Sequence, residues 1–225
     1  MTSTRASSEL IASVRANGLT YLDESALLDL YETVARLERD GVGGIIVEAG
    51  CALGGSAIVL AAAKKRPRAM AVFDVFAMIP PPSELDEADV HERYQVIASG
   101  KAEGIQGNRY YGYEDDLLQR VQQNFRAHGV HPAEENVRFV KGLFEDTLRI
   151  DEPVALAHID GDWFRSVYTC LERIEPHLAP GGVMVIDDYD HWSGCRKAVD
   201  EYFAGKEGYS FDRKSRVHIV RVAES

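Results

Sequence analysis

Two groups of residues stand out as able to do chemistry. The first is a set of carboxylates behind two short apolar runs, His158-Ile159-Asp160-Gly161-Asp162 and Val185-Ile186-Asp187-Asp188-Tyr189-Asp190. Carboxylates gathered at one place repel unless they are protonated or share a cation. An all-oxygen set with no cysteine among it suits magnesium, manganese or calcium. Asp160, Asp187 and Asp188 are therefore expected to ligate a divalent metal. Asp162 and Asp190 each precede a predicted helix and read as N-caps. Of the seven histidines, His158 lies within an apolar run and reads as a satisfied core residue. His191 follows the acidic cluster and is expected to face substrate, which makes it, with Asp160, a candidate general base.

The second group is a glycine turn, Glu48-Ala49-Gly50-Cys51-Ala52-Leu53-Gly54-Gly55-Ser56, which joins a predicted strand to an apolar helix. Glycines are needed where the chain turns sharply or where a ligand comes too close for a Cβ. The spacing Gly50-x-x-x-Gly54-Gly55 is not the Gly-x-Gly-x-x-Gly of a pyrophosphate cradle. About twenty residues on, Asp74 closes the next predicted strand, where a carboxylate can accept both hydroxyls of a ribose. Together the two features point to a nucleoside-bearing ligand without a pyrophosphate.

Elements of two kinds must position these residues. Apolar runs at 44–47, 69–73, 137–140, 154–159 and 182–186 alternate with helical patterns at 55–65, 114–128, 163–178 and 192–203. Such alternation predicts right-handed βαβ units, and so a doubly wound, mostly parallel α/β sheet with the acids converging at its carboxyl edge. Residues 210–222 read as strand, turn, strand, an antiparallel terminal hairpin. Helical patterns at 8–16 and 24–40 predict an N-terminal helical cap over 1–42, followed by one catalytic domain over 43–225. The segment 76–112 breaks the rhythm with Pro80-Pro81-Pro82, an acidic stretch, and Tyr110, Tyr111 and Tyr113. A stretch that long inside a compact domain reads as an inserted lid.

Composition narrows the function further. A formal charge of -11 with no basic run excludes a phosphate-binding surface, and no apolar stretch is long enough to span a bilayer. Nucleic acid and membrane are not expected partners. Three cysteines without Cys-x-x-Cys spacing and no signal-like start predict a cytoplasmic location.

Glu48-x-Gly50-x-x-x-Gly54-Gly55-Ser56, Phe73-Asp74-x-Phe76, Gly142-x-Phe144-Glu145-Asp146-Thr147-Leu148, His158-Ile159-Asp160-Gly161-Asp162 and Leu178-x-Pro180-Gly181-Gly182 with Ile186-Asp187-Asp188-Tyr189 together resemble the macrocin and mycinamicin O-methyltransferase family. The resemblance implies the seven-stranded, Rossmann-like methyltransferase fold, S-adenosylmethionine as methyl donor, Mg2+ as metal, and a sugar or glycoside hydroxyl as acceptor. It implies that Glu48, Gly50, Ser56 and Asp74 surround the donor, with Gly142, Leu143, Phe144 and Glu145 near its adenine. Asp160, Asp187 and Asp188 hold the metal, and a homodimer is expected. The expected chemistry is in-line attack of a metal-bound hydroxyl on the sulfonium methyl while a base removes the proton. Three other readings share part of this pattern. A catechol-type methyltransferase shares every motif except the acceptor pocket. A phosphorylation-receiver-like acidic module also gathers aspartates but needs no glycine turn with Asp74, and a nicotinamide dehydrogenase lacks its fingerprint.

Overall fold

A computed structural model describes residues 2–223; the outer limits of the expected segments, Met1 and Ser225, lie outside them. Helices α1 (Thr2–Ala16) and α2 (Glu24–Asp40) open the chain. Helix α2 is bounded as its sequence dictates. The Asp23 carboxylate accepts the Ala26 N–H at its start, and Gly41 closes it in the left-handed conformation at φ 71°.

Strands and helices then alternate: β1 (Ile45–Ala49), α3 (Gly55–Ala63), β2 (Met70–Asp74), α4 (Ala88–Ala98), α5 (Leu117–Ala127), β3 (Val137–Lys141), α6 (Phe144–Thr147), β4 (Val154–Ile159), α7 (Phe164–Ile174), β5 (Leu178–Ile186), α8 (Ser193–Phe203), β6 (Tyr209–Arg213) and β7 (Val217–Arg221). The seven strands form one sheet in the order β3-β2-β1-β4-β5-β7-β6. The first five are parallel, and β7 runs antiparallel to both β5 and β6. Between β1 and β4 the strand order reverses, and there the carboxyl ends open a crevice.

Both faces of the sheet are covered, which is why β1, β2 and β4 are buried along their whole length and, apart from Glu48, Asp74 and His158, apolar rather than alternating. On one face Ile46, Met70, Val72, Leu156 and Val185 pack with α1, α2, α3 and α5; on the other Val47, Ala71, Phe73, Ala157, Met184 and Ile186 pack with α7 and α8. The N-terminal helices therefore share the main core through Ile11, Val14, Leu27, Leu30 and Leu37. Segment 76–112 carries α4 and two 3-10 turns, Ile105–Gly107 and Tyr111–Tyr113. Just past it, Tyr113 donates to the Ile97 carbonyl (2.5 Å) and accepts the Ala102 N–H (3.2 Å), tying down the end of the segment. No helix among the described residues is long and apolar enough to cross a membrane.

Candidate active site

At the reversal point lies a partly open cavity, lined by Gly50, Asp74, Gly142–Glu145, Asp160 and Asp162 from the sheet edge and by Ile79, Pro80, Tyr110 and Tyr111 from segment 76–112. The loops bring each group in for a local reason. Gly50 sits at φ 89°, and a Cβ there would lie 1.9 Å from the Asp160 carbonyl oxygen. Gly55 fits beneath the Leu19 carbonyl, which a Cβ would meet at 2.7 Å. The glycines thus serve close approach of the protein's own backbone; of the turn's three glycines only Gly50 lines the cavity.

Asp74 is buried, and its carboxylate accepts the Cys51 N–H at 2.8 Å and the Phe76 N–H at 2.6 Å. Burial raises its pKa against those hydrogen bonds. A carboxylate has about four lone-pair sites, so the group can accept two further donors from a ligand.

The acids of β4 and β5 do converge. One carboxylate oxygen from each of Asp160, Asp187 and Asp188 lies within 4.8 Å of the others. Burial, then the neighbouring carboxylates, pushes Asp160 and Asp188 well above the ordinary aspartate value. Asp187 behaves oppositely. Burial would raise it, but His158 and Arg216 hold it below its usual value, with Arg216 Nε 2.7 Å from Oδ1. Asp188 Oδ2 is buried without a hydrogen-bond partner among the described residues.

Three groups of expected site or core residues sit in surroundings that the sequence does not show. His158 is buried but not a satisfied core residue: Nδ1 is 3.1 Å from Glu48 Oε2, and Nε2 faces Asp187 Oδ1 at 3.7 Å with no hydrogen bond of its own. Burial disfavours the imidazolium, yet the flanking carboxylates outweigh it and lift the pKa to about 10. Glu48 and Ser56, expected around the donor, are fully buried behind the cavity, joined by a hydrogen bond from the serine hydroxyl to Glu48 Oε1. His191 is exposed, its N–H bound to the Asp188 carbonyl as the chain turns into α8, and it does not line the cavity.

Nor do Asp162 and Asp190 cap helices. Asp162 has a left-handed backbone at φ 53° and lines the cavity. Burial and the nearby Asp187 charge raise it to about 6, opposed by a hydrogen bond from Trp192. Asp190 pairs at the surface with Arg196 and Arg213. Sequence reasoning missed Asp162 because aspartate before a helix ordinarily caps it. It also gave no sign of Tyr21, on the α1–α2 connection, whose ring lies 6.4 Å from that of the cavity's Tyr111.

A family model described as Macrocin-O-methyltransferase (TylF) matches residues 14–208. The chain belongs to the macrocin O-methyltransferase family. It is an S-adenosylmethionine-dependent O-methyltransferase. The methyltransferase is 31% identical over 204 residues to mycinamicin III 3''-O-methyltransferase of Micromonospora griseorubida, covering 86% of this chain and 69% of that one. It is 33% identical over 199 residues to 8-demethyl-8-(2,3-dimethoxy-alpha-L-rhamnosyl)-tetracenomycin-C 4'-O-methyltransferase of Streptomyces olivaceus, covering 86% and 68%. In structure this O-methyltransferase is similar to the O-methyltransferase NovP, with a TM-score of 0.75 at 25% identity over 92% of this chain and 83% of the other. The seven-stranded order with its antiparallel terminal hairpin is thus the methyltransferase fold.

Proposed function

We propose that this enzyme methylates a hydroxyl of a sugar or glycoside acceptor, with a divalent cation, expected to be Mg2+, held by Asp160, Asp187 and Asp188. The relatives named above are, by name, methyltransferases of mycinamicin III and of a rhamnosyl tetracenomycin. The single observation supporting the metal is the convergence of three carboxylate oxygens within 4.8 Å, one of the three acids retaining a buried oxygen with no partner. Oxygens about 2.0–2.6 Å from a shared ion lie within about 5.2 Å of each other, so the residues fit the group.

When bound, such a cation acts as a Lewis acid toward the acceptor hydroxyl and offsets the cluster's charge. The chain's own residues do the rest. Asp74 receives the donor's ribose hydroxyls, and residues 142–145 wall the far end of the cavity. Tyr110 and Tyr111, rings 4.6 Å apart, give the acceptor an aromatic surface, and the lid excludes water. We assign the acceptor's proton to the carboxylate of Asp160, which lines the cavity, rather than to the exposed His191.

Calorimetric titration with S-adenosylhomocysteine, with and without Mg2+, tests the reading, followed by mass-spectrometric screening of rhamnoside and catechol acceptors. Asp187→Ala would also unpair His158 and Arg216, so Asp188→Asn is the cleaner variant. It is expected to lower turnover at least about a hundredfold while leaving nucleoside affinity within about twofold. Equal loss of both would make the acid structural. Absence of nucleoside binding by the wild type in either condition would overturn the donor assignment.

A further inference from the structure

Helices α7 and α8 begin immediately after the two acid-bearing loops, and their N-cap residues, Trp163 and Trp192, make no side-chain cap. The acceptors come from the lid instead. Asp86 Oδ1 accepts the Phe164 N–H at 2.7 Å. Asp89 Oδ2 accepts the Ser193 N–H at 3.1 Å, and its Oδ1 accepts the Ser193 hydroxyl at 2.5 Å. Beside them the Pro80 carbonyl accepts the Trp163 indole N–H (3.0 Å), and the Leu85 carbonyl accepts from Lys197 Nζ (3.1 Å). Asp86 is only 7% exposed, and its second oxygen is held by the Ser83 N–H and hydroxyl at 2.9 and 2.8 Å. Space for it is left by Gly194 in the first turn of α8, where a Cβ would lie 2.2 Å from Asp86 Oδ1.

We propose that Asp86 and Asp89 are positioning residues that seat the lid by capping α7 and α8 from outside those helices. The first N–H groups of a helix have no intrahelical acceptor, and its dipole favours a carboxylate there. Lifting the lid strips both helix ends at once, and both ends adjoin the loops that carry Asp160 and Asp187-Asp188. Docking therefore sets the register between the lid's share of the cavity wall, Ile79, Pro80, Tyr110 and Tyr111, and the reacting end of the site. The inference rests on the reading of this cavity as the donor and acceptor site.

The chain's two tryptophans are its built-in reporter. Trp163 is 2% exposed and packs edge-on against Trp192, centroids 5.6 Å apart, where the lid lands. Acrylamide quenching of tryptophan fluorescence and S-adenosylhomocysteine calorimetry are compared for wild type, Asp86→Ala, Asp86→Asn, Asp89→Ala and Gly194→Ala, with circular dichroism to establish folding. Asp86→Ala, Asp89→Ala and Gly194→Ala are expected to raise quenching about twofold and weaken nucleoside binding about fivefold, the effect of one lost cap. Asp86→Asn keeps one acceptor oxygen for the Phe164 N–H but turns a donor amide toward the Ser83 N–H, and is expected to lie between wild type and Asp86→Ala. Unchanged quenching and affinity in folded alanine variants would overturn the proposal, as would identical behaviour of Asp86→Asn and Asp86→Ala. If Asp86→Ala does not fold, Asp89→Ala decides by the same criteria. Failure of the wild type to bind the nucleoside would count against the cavity assignment, and the quenching series would still judge the docking.

Discussion

Behind the cavity runs a buried line of alternating charge. The Ser56 hydroxyl donates to Glu48, His158 lies between Glu48 and Asp187, and Arg216 closes the line on Asp187. It runs from Ser56 of the glycine turn through Asp187 of the acid cluster to Arg216, so the two groups of chemistry-bearing residues are joined through the sheet. With a pKa near 10, His158 is cationic at neutral pH and is the counter-charge for two buried carboxylates. His158→Gln removes that charge and leaves both acids in low dielectric. Removing one partner of a buried pair costs about 3–5 kcal/mol, so urea denaturation should show a loss of that order. Adding Glu48→Gln should recover part of it, because the second change removes one of the stranded charges. Strictly additive losses would mean that the pair does not interact and that His158 serves packing alone.

At the scale of elements, the terminal hairpin is fastened from below. Glu175, in the turn after α7, accepts from Tyr202 Oη of α8 at 2.8 Å, from Lys206 Nζ at 2.7 Å and from Tyr209 Oη of β6. Burial raises the Glu175 pKa, but these three donors together bring it below the usual glutamate value. An acid with a depressed folded pKa contributes stability above its unfolded value of about 4.3 and loses it as pH falls through the folded value. Glu175→Gln should therefore cost about 1–2 kcal/mol at pH 7, a difference that shrinks below pH about 4 in parallel denaturation curves. A gap that stays constant to pH 3 would mean that the charge contributes nothing. Legibility in the sequence follows the same lines. The inner parallel strands are readable because a strand buried on both faces is mostly apolar along its length, and β4 spans the expected residues 154–159. The expected caps, Asp162 and Asp190, fail because the acceptors for the first N–H groups of α7 and α8 lie over seventy residues upstream, in Asp86 and Asp89, where no local spacing reports them. Helix α6, four residues long, carries no periodicity. Strand β5 begins at Leu178 rather than 182, because Pro180 and Gly181, which interrupt the apolar run, lie within the strand beside a register shift against β4. The convergence of Asp160, Asp187 and Asp188, and the strand-end places of Asp74 and Gly50, are legible as acids and a glycine behind apolar runs. The charge state of His158 is not, since it depends on Glu48 and Asp187 from strands on either side.

The molecule as a whole carries a formal charge of -11, and its densest concentration of buried negative charge is where catalysis is assigned. Folding that brings Asp160, Asp187 and Asp188 together works against their mutual repulsion, only part of which Arg216 and His158 relieve. A ligand that binds the folded chain and not the unfolded one adds RT ln(1 + [L]/Kd), about 2.7 kcal/mol at a hundredfold excess over Kd. For a domain of this size each kcal/mol moves Tm by about 2–4 °C, so saturating Mg2+ should raise Tm by roughly 5–10 °C. General screening of so acidic a protein would also stabilise it, and NaCl at matched ionic strength measures that part. Asp188→Asn separates the two effects. Removing one charge from the cluster should leave the ion-free variant at least as stable as ion-free wild type, while the response specific to Mg2+ disappears and the response to NaCl persists. A wild-type shift no larger with Mg2+ than with NaCl would sink the metal assignment. A variant much less stable than ion-free wild type would instead show that the Asp188 carboxylate holds the β5 loop in place.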